Sequence, residues 1–389
     1  MPNEQEDLSI EIIERIADID RSAWMACAGV DNPFVGYDFL SCLEDSGSVS
    51  AQTGWAPRHV VIRHKSGLVM ACMPLYLKSH SQGEYIFDWG WAEAYERAGG
   101  QYYPKLISAI PFTPVTTPKL LLHPSAPKAL QAQLIQSISS LATQAHLSSV
   151  HLNFLNEPEK DTLLKAGFLH RLGLQYHWRN NNYGCYDDFL AALTSRKRKA
   201  LKKERREALD GGTITIQKLQ GADIQPCHWD AMYGFYCDTG ARKRGQPYLN
   251  REFFQLIGER MADQILLVMA LRGDHIIAGA LNFIGKEALY GRYWGSSEDV
   301  RFLHFELCYH QAIEAAIELG LQRVEAGAQG EHKIARGYLP TLTHSAHFIT
   351  DENFRQAVSS FLQHERQAIV QEHKILMTES PYRQTPDIA

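Results

Sequence analysis

One short run of the chain gathers side chains that move protons and bind anions: Glu325-Ala-Gly-Ala-Gln-Gly-Glu-His-Lys-Ile-Ala-Arg336. Glu325 lies in the strand-like Val324-Glu-Ala-Gly-Ala, and Gly327 and Gly330 let the backbone come close to a ligand. A short helix opening there would point N–H groups at an anion, and Lys333 and Arg336 would add positive charge for a phosphate or carboxylate. Helical spacing sets Lys333 and Arg336 on one face and leaves Gln329 and Glu331 near the strand end. The G-x-x-x-x-G-K spacing of a nucleotide-binding loop is absent. The plainer alternative is a solvated strand-to-helix turn.

Charged residues inside apolar runs need partners. Asp88 in Phe87-Asp-Trp-Gly and Arg292 in Arg292-Tyr-Trp-Gly are therefore either paired within the fold or aimed at a ligand. Their neighbours Trp89, Tyr293 and Trp294 are core or ligand-facing. Tyr102, Tyr103 and Lys105 follow Gly99-Gly100, beside the rigid Pro111-Phe-Thr-Pro-Val. The stretch 195–209 sets eight basic residues against Glu204 and Glu207. Such a helix can track a phosphate backbone, with Arg198, Lys202 and Arg205 as contacts, or serve as a solvated connector. Cys308 reads as a packed small hydrophobe rather than a nucleophile.

The elements that must position these residues come from a chain of 389 residues, long enough for two or three domains. With 45% hydrophobic and 21% charged residues it can bury substantial cores. Lys plus Arg number 39 against 44 Asp plus Glu, a net charge of −5, which excludes polyanion binding by bulk charge and leaves only a local patch. No apolar run is long enough to span a bilayer and the start is acidic, so a cytoplasmic protein without a membrane span is expected. The seven cysteines form no C-x-x-C pair and read as reduced thiols. There is no H-E-x-x-H, and His344 and His347 fall on opposite faces of a strand, so no metal site is expected.

Two segments repeat one order of events. Strand runs at 58–63, 68–77 and 84–90 turn at Ser66-Gly67, and runs at 264–271, 275–284 and 288–295 turn at Gly273-Asp274. Each reads as a three-strand antiparallel meander. Helical spacing at 126–145 precedes a strand at 150–155, and helical spacing at 302–319 precedes one at 324–328. Each half closes with a short helix and a last strand, near 176–179 and 345–349. The pattern predicts an α+β fold with mixed sheets, formed twice. The expected domains are 1–185 and 186–389, the second beginning with a charged helix over 187–209.

The order of elements in each half resembles the GNAT acyltransferase fold, and two such halves in tandem resemble the Fem-type peptidyl and aminoacyl transferases. The strings His80-Ser-Gln-Gly-Glu-Tyr-Ile-Phe-Asp-Trp-Gly-Trp-Ala, Tyr102-Tyr-Pro-Lys-Leu, Pro111-Phe-Thr-Pro-Val, Ser195-Arg-Lys-Arg-Lys and the run from Glu325 to Pro340 are similar to the FemAB-like family of peptidoglycan biosynthesis or recognition proteins. The likeness runs from about Phe34 to Glu365. It implies two tandem GNAT-like domains and transfer of an acyl or aminoacyl group to an amine of a peptide-like or peptidoglycan-precursor-like acceptor. The reactive cleft would be formed by the second half and bordered by the first. The implied donor is acyl-CoA or aminoacyl-tRNA, with no tightly bound cofactor.

Such transfer needs a base or water relay for the amine proton and donors for the developing oxyanion. Glu325 is the candidate base, with His332 in its place as the alternative. Lys333 falls where the resemblance implies a substrate-contacting lysine after Tyr or Phe, although His332 precedes it here. Asp88, Trp89, Tyr102, Tyr103, Lys105, Arg292, Tyr293, Trp294, Gln329, Glu331 and Arg336 are the candidate substrate contacts. The [QR]-x-x-G-x-[GA] loop expected of an acyl-CoA enzyme is degenerate in both halves. Ser296-Ser-Glu-Asp-Val-Arg carries acids that repel pyrophosphate, and Arg97-Ala-Gly-Gly-Gln-Tyr fails at Tyr102. Together with the basic stretch this supports a tRNA partner. The rival readings are a non-catalytic ligand-recognition protein and an RNA-binding protein using 195–209.

Overall fold

The computed structural model describes residues 8–242, 245–327 and 330–383. In the first half the strands are β1 (Leu8–Ile13), β2 (Trp55–Pro57), β3 (His59–His64), β4 (Val69–Met73), β5 (Tyr76–Lys78), β6 (Lys105–Ser108), β7 (Leu121–Leu122), β8 (Ser149–Leu155) and β9 (Leu169–Arg179). β1, β3, β4 and β7 make one antiparallel sheet. β2, β5 and β6 are antiparallel neighbours, and β6 runs parallel to β8. The expected first meander is therefore split between two sheets. Pro74, which has no N–H for a ladder, stands between β4 and β5, where the chain changes sheet. The expected third strand at 84–90 is a loop that runs into the helix Trp89–Arg97.

The second half follows the expected pattern more closely. β10 (Ile214–Gln220), β11 (Ile265–Arg272), β12 (His275–Ile284) and β13 (Ala288–Ser296) form an antiparallel meander. Gly273, at φ +59°, makes the tight turn between β11 and β12. β13 then runs parallel to β14 (Arg323–Glu325), and β15 (Leu339–Ile349) ends the strand series. The helix between β13 and β14 covers 303–318 with a π turn at Glu306–His310. The charged stretch 187–209 is two helices, Tyr186–Ala192 and Ser195–Ala208, because Leu193 takes an extended conformation and is fully buried.

The last strands are exchanged. β9, which closes the first half, pairs antiparallel with β14 of the second, and β15 pairs antiparallel with β8 of the first. The compact units are consequently discontinuous. Unit 1 is the chain up to Gly173 with Leu342–Gln371, and unit 2 is Leu174–Thr341 with the chain from Glu372 onward. A single boundary at 185/186 follows the sequence repeat, whereas compactness follows the exchanged strands.

In unit 1, Val60, Met73, Leu134, Ile138, Val150 and Leu152 pack one core. In unit 2 the core holds Trp178, Val268, Ala280, Leu307, Ile313 and Val324. Burying each such side chain contributes about 1.5–3 kcal/mol. The helix Pro226–Arg242 lies so close to β13 that a Cβ on Gly295 would sit 2.3 Å from the Phe235 carbonyl oxygen. A backbone atom cannot swing aside as a side chain would. Gly295→Ala should therefore cost about 1–3 kcal/mol of stability, read by urea unfolding, and an unchanged midpoint would contradict this packing.

Candidate functional site

The parallel pairing of β13 and β14 is brief, ending at Tyr290 opposite Glu325. β14 stops there while β13 continues to Ser296, so their pairing ends at Glu325. Glu325 is only 2% exposed. Its Oε1 accepts from Arg323 Nε at 2.9 Å, while Oε2 has no hydrogen-bond partner among the described residues and lies 4.0 Å from His177 Nε2 on β9. Burial pushes His177 below its usual value, and the Glu325 charge partly opposes this.

The turn Glu331–Arg336 brings Lys333 to the same place. Lys333 is buried, and its Nζ donates to the Ala326 and Gly327 carbonyls at 2.8 and 3.1 Å. Burial first, and then the positive charge of Arg292, bring its pKa down from 10.5 to about 8. Arg292 is half-buried on β13. His332 is exposed, with Nε2 3.0 Å from the Tyr309 hydroxyl, and partial burial together with Arg336 lowers its pKa.

Of the expected residues in unit 2, Arg292 lies close enough to depress Lys333, and Lys333 is bound to the two carbonyls that follow Glu325. Arg336 is engaged elsewhere, by Glu204 and by the His332 carbonyl. Tyr293 packs with Tyr236 and Phe254, and Trp294 with His304, which makes both part of the aromatic packing. Glu331 is exposed, and Gln329 lies outside the described residues. Sequence reasoning missed His177, which only the strand exchange brings opposite Glu325.

Unit 1 carries a second constellation. Strand alternation sends Leu106, Val150, Leu152 and Ala346 into its core. The opposite faces of β5, β6, β8 and β15 carry Lys78, Lys105, Ser149, His151, Asn153, Ser345 and His347, all buried. Lys105 Nζ donates to Asp88 at 2.5 Å and to Glu84 and the Ser81 hydroxyl at 2.9 Å each. Asp88 also accepts from Tyr102 at 2.6 Å and from Ser81, which in turn meets the Tyr103 hydroxyl at 2.7 Å. Nδ1 of His151 and Nδ1 of His347 face each other at 2.6 Å, and their Nε2 atoms meet Ser149 and Ser345 at 2.7 and 3.0 Å.

Burial works against each charge in this network. For Asp88 the Lys105 ammonium outweighs it and holds the carboxyl well below its usual range. Glu84, for which burial wins, is raised to about 7, and burial lowers Lys78 to about 7. Asp88, Tyr102 and Lys105 are among the candidate substrate contacts, with Asp88 either paired within the fold or aimed at a ligand. They are at most 2% exposed and satisfy one another, so only the half-buried Tyr103 and the exposed Trp89, stacked on Phe87 at 4.3 Å, face outward. Sequence reasoning missed Glu84 and His151, although Ser149-x-His-x-Asn153 signals a polar strand face, and it took His347 only as a strand residue outside any metal site.

In the helix Ser195–Ala208, Arg205 turns inward, bonding Glu306 at 2.8–3.2 Å and Glu314 at 3.2 Å with its guanidinium over Tyr186. It is not available to a phosphate. Lys202 is exposed and pairs with Asp187 at 3.1 Å, and Arg198 is half-buried. Among the described residues no three His, Cys, Asp or Glu side chains gather as metal ligands, and no helix is long and apolar enough to cross a membrane.

Two halves that each place a parallel strand pair beside an exchanged antiparallel strand define an α+β protein of tandem GNAT-like architecture. The chain belongs to the FemAB-like family, described as peptidoglycan biosynthesis/recognition, whose model matches residues 15–384. It is similar in fold to FemX, with 13% identity, a TM-score of 0.54, and 90% of this chain and 100% of that one covered. It is likewise similar to the C-terminal domain of a putative lysylphosphatidylglycerol synthetase from Agrobacterium fabrum (10% identity, TM-score 0.52, 90% and 96% covered). L-PGS from Bacillus licheniformis gives 9% identity and a TM-score of 0.51, with 91% and 98% covered. No curated protein matches the chain.

The unit 1 network has a pH signature. The Glu84 pKa rises from 4.5 to about 7 on folding, so its stabilising contribution is complete below about pH 4.5 and is lost as pH rises toward 7. His151 falls from 6.5 to about 3, so its contribution is present above about pH 6.5 and lost as pH falls. Glu84→Gln removes only the first of these. Between about pH 4.5 and 7 the unfolding free energy of E84Q relative to wild type should rise with pH, and parallel profiles would refute the assignment.

Proposed function

We propose that this protein is an N-acyltransferase that moves an acyl or aminoacyl group onto an amine of a peptide-like or peptidoglycan-precursor-like acceptor. The observation that carries this reading is the end of the β13–β14 pairing at Glu325, where Lys333, under the charge of Arg292, is bound to the carbonyls of the next two residues. When an amine attacks an activated carbonyl, its nitrogen loses a proton, the carbonyl oxygen gains negative charge, and the leaving group departs from the same carbon. In this reading the free Oε2 of Glu325 receives the proton, with His177 nearby to pass it on. Arg292 and Lys333 supply positive charge for the oxygen, and Lys333 also ties down the Ala326–Gly327 backbone. Family membership supports an acceptor from cell-wall chemistry.

The surroundings favour aminoacyl-tRNA over acyl-CoA as the donor. Before the helix at Leu303 stand Glu298, bound to Arg272 at 3.1 Å, and Asp299, both unsuited to a pyrophosphate. The helix Ser195–Ala208 turns Lys202 and Lys203 to solvent. The test incubates the full chain with labelled aminoacyl-tRNA or acyl-CoA and a UDP-linked muropeptide. Lys333→Met and Glu325→Gln should each cut transfer about 100-fold or more with the melting midpoint kept, and wild-type turnover in both would overturn the site. A muropeptide that raises the midpoint while no donor yields product would replace transfer with recognition alone.

A further inference from the structure

The basic helix Ser195–Ala208 carries an acid that faces inward. The Glu204 side chain is 11% exposed, and its carboxylate accepts from Arg336 at both oxygens, Nε to Oε1 at 2.8 Å and Nη2 to Oε2 at 2.6 Å. Oε1 also lies 2.8 Å from His310 Nε2, and the other ring nitrogen of His310 lies 2.6 Å from the Tyr186 hydroxyl. Arg336 passes the contact on. Its Nη1 donates to the His332 carbonyl at 2.7 Å, and the guanidinium lies over Phe305 at 3.4 Å from the ring centre. The peptide from His332 to Lys333 is thus held at its carbonyl by Arg336, while the Lys333 Nζ is held by the Ala326 and Gly327 carbonyls.

The next residue, Arg205, bonds Glu306 in the π turn Glu306–His310, the turn that also supplies His310. Insertions of this kind within helices concentrate at functional sites. Two adjacent side chains of one helix therefore grip the Lys333 turn, at Arg336, and the π turn, at Glu306 and His310. A paired buried charge is costly to leave alone, so Arg336 without its carboxylate would move toward water and release the His332 carbonyl.

We propose that Glu204 is a positioning residue: through Arg336 it orients the peptide that carries Lys333, without touching substrate. This rests on the reading of the Lys333 turn as the transfer site.

The test measures modification of Lys333 in the folded full chain by a small water-soluble amine reagent, read by peptide mass spectrometry, with exposed Lys202 and Lys203 as internal standards. In Glu204→Gln the Lys333 rate should rise about tenfold or more relative to these standards, because the local opening that exposes it becomes easier. Glu204→Asp keeps the charge on a shorter arm and should restore part of the protection. Arg336→Lys loses the second contact and should expose Lys333 as E204Q does, which covers the case in which E204Q fails to fold. Unchanged Lys333 protection in the folded variants overturns the positioning role. Raised reactivity in E204Q together with full transfer by Lys333→Met upholds the positioning role and overturns the site reading.

Discussion

Lys105 is fully buried, and much of unit 1 follows from that. A fully buried cation must be matched by anions close at hand, and Asp88 and Glu84 supply them from a loop rather than from the sheet. The chain at 84–90 therefore cannot continue as a strand, since its acids are drawn down onto β6. The same demand recurs in unit 2, where Glu325 is met by Arg323, Arg336 by Glu204, and Arg205 by Glu306.

These pairs do more than neutralise one another. Each joins segments that local structure alone would leave independent, and a pair with one member removed costs more than the pair contributed. In unit 2 they join the charged helix to the π turn and to the turn that holds Lys333. The helix is basic on its exposed side and mixed on its inner side, so its composition overstates the charge it offers to a polyanion.

The exchange of β9 and β15 is the second organising fact. Each half of the chain builds its own parallel pair, β6 with β8 and β13 with β14, and receives the antiparallel neighbour of that pair from the other half. His177 reaches Glu325, and His347 reaches His151, only because of this exchange. Cross-strand partners so distant in sequence leave no local pattern, which is why neither pair was legible in advance.

The sequence by itself determined the class of fold, the second meander, the helix before each closing strand, and the nearness of Glu325 to Lys333. All of these rest on periodicity or on short spacings. The resemblance to the FemAB-like family, whose model matches residues 15–384, was likewise readable directly. Tertiary structure alone decided that Asp88, Tyr102 and Lys105 satisfy one another in the interior, that Arg205 and Arg336 are held by acids, and that the compact units are discontinuous. The physical reason is that a charged residue type states a need for a partner, and only the folded chain determines whether that partner is solvent, a ligand or another side chain.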